Sequence, residues 1–198
     1  MIKRYFAKKD NTITNAFQED LSTRGTGSNM GASDILEVFS IYGQESSGST
    51  ELARTLIQFS TDEISAERSA GSLAASGSVS WYLKMYDAAH IKTTPRDFKL
   101  VVSPISKDWE EGYGIDMENY EDLTDGGFGS NWVSASSTAV WSKVGGDFHI
   151  TQPGQIIEQT FKVPAFKQFS PAKGALRGKT QGRFDIFIPP GAEDFKGL

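Results

Sequence analysis

The chain has no cysteine, only two histidines, and no apolar run of about 18 residues. The first absence excludes disulfide frameworks, thiolate zinc sites and cysteine nucleophiles together. The second leaves His90 and His149 far apart, without metal-ligand spacing. The third excludes a helical membrane span. The first ten residues, Met-Ile-Lys-Arg-Tyr-Phe-Ala-Lys-Lys-Asp, have a basic start but no apolar stretch after it, so no signal peptide is expected, and synthesis in a cytoplasm is the default. Reaction motifs are missing as well. There is no Gly-x-Ser-x-Gly elbow and no Gly-x-x-x-x-Gly-Lys phosphate loop, while Gly25-x-Gly27-x-x-Met30 lacks the third glycine of a dinucleotide fingerprint and precedes a strand. Those glycines are expected at turns that need positive φ.

What is present is the composition of a folded β protein. Among 198 residues, 38% are hydrophobic and 12% aromatic, with 20 glycines, enough for one domain with a sizeable core. The net charge of −5 hides an asymmetry. Residues 1–161 carry 13 Lys/Arg against 22 Asp/Glu, whereas residues 162–183 carry six Lys/Arg and no acid. The acidic body argues against binding nucleic acid through a general field, and the basic stretch reads as a solvated linker.

Alternating apolar residues predict strands at Thr12–Phe17, Arg54–Phe59, Trp81–Tyr86, Phe98–Val102, Ile156–Val163 and Phe184–Ile188. Ile35–Tyr42 is apolar on both faces, which predicts a central strand covered on both sides. Trp81–Tyr86 and Phe98–Val102, joined by a connection containing Pro95, are expected to be antiparallel neighbours. Ser60 followed by Glu63 is a capping-box pattern, predicting a short helix over 61–69. The reading is therefore an all-β, antiparallel, jelly-roll-like sandwich with long loops over residues 1–163. Residues 164–198 are expected to form a basic, linker-like extension with a short terminal strand.

Between Asp108 and Asp125 stand eight acids and no base. The stretch fits a solvated loop surface. It also offers carboxylates for calcium, with Asp116, Glu118 and Asp122 as candidates, although Tyr120 occupies the place of a third oxygen donor. Paired carboxylates there could serve glycoside hydrolysis. Trp109 and Trp132 are candidate glycan-stacking rings, set against the plainer reading of loop aromatics seeking burial. No catalytic or cofactor-binding residue is assigned.

The segments Gly27-Ser28-Asn29-Met30-Gly31-Ala32-Ser33, Leu36-Glu37-Val38, Arg54–Phe59, Trp81–Tyr86 and Ser106–Gly112 occur in one order. That order resembles the DNRLRE-type β-sandwich, a jelly-roll-like module similar to carbohydrate-binding modules. The wording of Ile13–Phe17, Arg24–Ile35, Tyr42-Gly43-Gln44 and Asp125–Trp132 is similar to structural proteins of large tailed phages of marine cyanobacteria. The resemblance spans roughly residues 8–150 and departs after Pro164, where further strands would be expected. It implies a non-enzymatic virion component, made in the host cytoplasm. Its partners would be other virion proteins, in a homo-oligomer or larger assembly. The alternative it leaves is a carbohydrate-binding module recognising host-surface glycans.

Overall fold

The computed structural model describes residues 1–42, 50–87, 97–115, 128–148, 157–162 and 182–188. The strands are β1 (Ala7–Thr14), β2 (Ser40–Tyr42), β3 (Thr50–Phe59), β4 (Trp81–Asp87), β5 (Asp97–Val102), β6 (Ile157–Lys162) and β7 (Gly182–Ile188). One α-helix, α1 (Thr61–Ser69), and a 3₁₀ turn at Ser76–Ser78 complete the elements among the described residues. Every strand pair among the described residues is antiparallel. The protein is mostly β. The chain divides into two compact units, one drawn from Met1–Leu73 and Ile105–Phe148, the other from Ala74–Pro104 and His149–Asp194.

In the first unit the sheet order is β1-β3-β2. Strand β3, ten residues long, is central, pairing with β1 over Ala53–Phe59 and with β2 over Thr50–Leu52. Its register sets Asn11 opposite Leu56, Ile13 opposite Arg54 and Ser40 opposite Leu52, with an irregularity between Ala7 and Lys9. The second half of β1 is buried at every position, Asn11 to Thr14, instead of at alternate ones. Thr12 explains why a polar residue is tolerated there, since its hydroxyl accepts a hydrogen bond from Glu37 N at 3.0 Å.

The segment expected as a central strand is different. Only Ser40–Tyr42 pairs, at the edge of the sheet, and Ile35, Val38 and Ile41 are 50%, 51% and 47% exposed. Two apolar faces signalled burial on both sides, yet apolarity alone supplies neither a second pairing partner nor a layer to cover each face. Residues Ile2 to Phe6 form no strand, and Phe6 is exposed.

Helix α1 starts where the capping pattern places it. The Ser60 side chain accepts from Glu63 N at 3.4 Å. No residue of the helix is buried, so its ends and its polar contacts hold it. Lys3 Nζ lies 2.8 Å from the Glu67 carboxylate, and the Tyr5 hydroxyl donates to the same carboxylate. Burial, then Glu67, pushes the Tyr5 phenol up to about 12. A Ser60→Ala change is expected to weaken α1 locally by about 0.5–1 kcal/mol. The check is amide exchange, which should speed up across the helix while β1 and β3 stay protected.

The second unit contains two ladders, β4 with β7 and β5 with β6. Strand β4 alternates as its sequence requires: Trp81, Leu83 and Met85 are half-buried while Tyr82, Lys84 and Tyr86 are exposed. Its partner is not β5. Trp81 pairs with Ile188 and Asp87 with Gly182, and Asp97 pairs with Lys162. Alternation specifies the face of a strand and not its neighbour, so strands that adjoin in sequence need not pair in space. The strand expected at the far end, Phe184–Ile188, thus lies within β7. The linker-like stretch before it lies outside the described residues.

No helix among the described residues is long and apolar enough to cross a membrane.

Candidate functional site

The first unit covers its sheet with a layer built from residues 105–115 and 128–148. None of these residues belongs to a strand; isolated bridges join Ile105 to Phe148 and Ser134 to Val140. Main-chain hydrogen bonds hold the rest, such as Glu110 N to Ala135 O at 2.9 Å and Ser130 N to Glu110 O at 2.8 Å. Between sheet and layer lies the core: Ile13, Leu56, Ile105, Trp109, Trp132, Ala135 and Trp141, with Leu52 against it. Trp109 and Trp132 are 3% and 7% exposed. Neither presents a ring to a sugar; both are the anchors of the layer, because an indole gains most when its whole surface leaves water. Trp141 is buried with them, its indole N–H donating to Asn131 O at 2.8 Å.

Three cations tie polar and aromatic groups at the margins of this unit. Lys9 Nζ sits 4.6 Å from the Trp109 ring centre and 3.0 Å from an Asp108 oxygen. Arg24 lies 3.7 Å from the Phe17 ring and donates to Asn15 O at 2.7 Å. The Arg54 guanidinium is held between Trp132 at 4.8 Å and Phe148 at 4.5 Å, and donates to Gly145 O. Burial lowers its pKa, and the two ring faces offset part of that desolvation.

The residue that organises the loops is Asn29, which is fully buried. Its Nδ2 donates to Glu111 O and Ser130 O, both at 2.7 Å. Its Oδ1 accepts from Gly31 N at 3.1 Å and Gly114 N at 2.9 Å. Asn11, also fully buried, joins from β1, donating to Ser130 O at 2.8 Å and accepting from Met30 N at 2.8 Å. Both capacities of each amide, donor and acceptor, are therefore used. Glycine surrounds the knot. A Cβ on Gly114 would overlap the Asn29 carbonyl, and one on Gly31 would overlap the Glu111 carbonyl. Gly112 has φ of +85° and Gly129 of +123°, so only glycine holds those positions without strain. Gly25, Gly27 and Gly31 are not among the positive-φ residues; at Gly31 the requirement is space, because another strand of backbone passes through the volume of a side chain.

Both ends of the acid-rich segment are thus clamped to one asparagine, Glu111–Gly114 on one side and Gly129–Ser130 on the other. Asp116, Glu118, Asp122 and Tyr120 lie outside the described residues, as do His90 and His149. No group of three metal-ligating side chains occurs among the described residues. Glu110 accepts from Ser137 N at 2.8 Å and Gly129 N at 3.3 Å; Glu111 accepts from Asp10 N at 2.8 Å. Both are in structural use.

No family model, curated protein or solved structure matches this chain.

Two further rings adjoin the glycines of the knot. Tyr113 and Phe128 stack with centroids 5.6 Å apart and planes at 20°, and they are 65% and 41% exposed. A loop aromatic is expected to seek burial, as Trp109 does, and Tyr113 is the exception. Gly112 and Gly114 on either side of it are the buried positions, so the intervening side chain is left exposed. The Gly-Tyr-Gly spacing was the available signal.

One electrostatic feature sits beside the knot. Burial, then the charge of Glu111, raises the Asp10 pKa above its ordinary range. Ionisation of Asp10 therefore opposes folding. The extra stability is present below the unfolded value of about 3.9 and is lost as pH rises through the folded one. Asp10→Asn is expected to retain it, unfolding at higher urea than the wild type at about pH 7 and at the same urea at about pH 3. A variant less stable than wild type at neutral pH would contradict this account.

Proposed function

We propose that the chain is a non-enzymatic structural protein of a phage virion that works through contacts with neighbouring subunits. The ordered resemblance to virion proteins supports this reading, as does the antiparallel mostly-β fold, which agrees with the coarser part of a jelly-roll-like sandwich. The observation that carries the assembly half is the edge of the three-stranded sheet. Ile35, Val38 and Ile41 place half-exposed apolar side chains along the segment that leads into edge strand β2. An apolar edge of this kind is a pairing surface that monomeric proteins tend to blunt with charge.

The alternative of a carbohydrate-binding module would need rings other than Trp109 and Trp132, which belong to the core. Sedimentation of the purified chain over a range of concentrations tests the assembly reading, with mass spectrometry of virions of the encoding phage. Association that Ile41→Lys abolishes with the fold retained is the expected result. A strict monomer that is absent from virions would end the proposal.

A further inference from the structure

Two segments at opposite ends of the first unit's sheet leave their main chain open, and their chemistry is complementary. Residues 2–5 lead into β1 and make no main-chain hydrogen bond with another described residue. Odd-numbered side chains tether this arm to α1 and the turn after it: Lys3 to Glu67 at 2.8 Å and to Ser72 at 3.2 Å, and Tyr5 to Glu67. The even-numbered ones are left in water. Ile2 and Phe6 are 90% and 85% exposed. Arg4 and Lys8 are exposed too, and neither enters an ion pair among the described residues. Residues 1–9 hold four Lys and Arg and no acid. An arm displayed from such a tether loses little freedom when it docks.

The second segment is the free edge of β2. Ala53 N donates to Phe39 O at 3.0 Å, so Phe39 and Ile41 direct their main-chain groups at β3, while Ser40 and Tyr42 direct theirs away from it. Beside that edge lie the exposed Ile35, Val38 and Ile41 and the exposed acids Asp34 and Glu37, whose carboxylates pair with no cation among the described residues. No Lys or Arg occurs from 25 to 53. Edge-to-edge pairing of two β2 strands would bring these like charges together. Nor does one copy join its own arm to its own edge. The arm enters the sheet where Ala7 pairs with Phe59, whereas β2 pairs with Thr50–Leu52 on the other side of β3. Those positions are roughly 25 Å apart along the strand, and α1, which follows Phe59, keeps the arm at its own end.

We infer that residues 2–8 of one copy dock as an added strand on the β2 edge of a second copy, Arg4 and Lys8 facing Asp34 and Glu37 while Ile2 and Phe6 cover Val38 and Ile41. This deepens the assembly reading and rests on it. The two joined surfaces differ, so each copy keeps one of each free and the contact repeats head to tail. The test is a pair of charge reversals in the full-length protein, Arg4→Glu/Lys8→Glu and Asp34→Lys/Glu37→Lys, all at side chains already in water. Each reversal alone is expected to raise the concentration of half-association in sedimentation at least ~10-fold. Mixed in equal amounts, the two variants should associate again to within ~3-fold of the wild type, because the acidic arm of one fits the basic edge of the other. If a reversed variant does not fold, excess peptide of residues 1–9 should dissociate wild-type assemblies, and its Arg4→Glu/Lys8→Glu form should not. Association unmoved by either reversal, or reversals that do not rescue one another, would overturn the inference. So would an arm variant that loses only binding to phosphatidylserine vesicles. The wild type is scored separately. A protein that associates regardless of the reversals refutes this joint and leaves assembly standing, whereas a strict monomer absent from virions refutes assembly itself.

Discussion

Asn29→Ala is expected to cost on the order of 3–5 kcal/mol of unfolding free energy, the largest loss from any single polar side chain in the first unit. The change removes four hydrogen bonds in a place water does not reach. It leaves the carbonyls of Glu111 and Ser130 and the N–H groups of Gly31 and Gly114 without that partner, though Ser130 O retains Asn11. A buried polar group so abandoned costs about 1–3 kcal/mol, more than a hydrogen bond is worth when made. Asn29→Asp discriminates the cause: the shape is retained and the two donors are lost, so most of the loss should persist. Gly114→Ala attacks the same knot through space, because its methyl would overlap the Asn29 main chain, and is expected to be of similar severity. Urea unfolding followed by tryptophan fluorescence reads the effect, since Trp109, Trp132 and Trp141 all lie in this unit. The midpoint should fall with the slope little changed. A loss under about 1 kcal/mol for Asn29→Ala would show that the loops are held by something else.

Trp132→Ala should be comparable, about 3–5 kcal/mol, for an apolar reason. Trp132 lies in the core beside Trp109 and Trp141, carries Arg54 on one face, and packs so closely on Gly145 that a Cβ there would be 2.8 Å from the ring. Truncation would leave a cavity and take from the half-buried Arg54 one of the two rings that flank it. Trp132→Phe, which keeps apolar volume, should lose less. The informative contrast is Tyr113→Ala, an exposed aromatic whose removal should change stability by no more than about 0.5 kcal/mol. If Trp132→Ala folded as well as Tyr113→Ala, the placement of the core would be in error. Any ligand binding lost in Trp132→Ala has to be judged against this loss of fold.

How much of this could be read from the residues alone depends on the distance over which each signal acts. Alternation at Trp81–Tyr86 and the Ser60–Glu63 cap are local, and both appear where expected because the forces behind them span a few residues. Strand β3 was legible for the same reason, and so was the strand in β7. Ile35–Tyr42 was misread, since apolarity on two faces says nothing of which edges are paired. The partnership of β4 with β7 was equally invisible, because register information for a ladder of about 100 residues' separation is not carried by either strand alone.

The sequence by itself determined the class of the protein and the ingredients of its site: a strand-rich acidic body without cysteine, glycines flanking Tyr113 and Phe128, and tryptophans bound to seek burial. Tertiary structure alone decided which of those aromatics went in and which stayed out. Trp109 and Trp132 found a sheet to cover, while Tyr113 and Phe128 were turned outward because Asn29, some 80 to 100 residues earlier in the chain, claims the glycine backbone beside them. A fully satisfied buried amide has few geometries open to it, and that one side chain dictates the face its distant neighbours show to solvent.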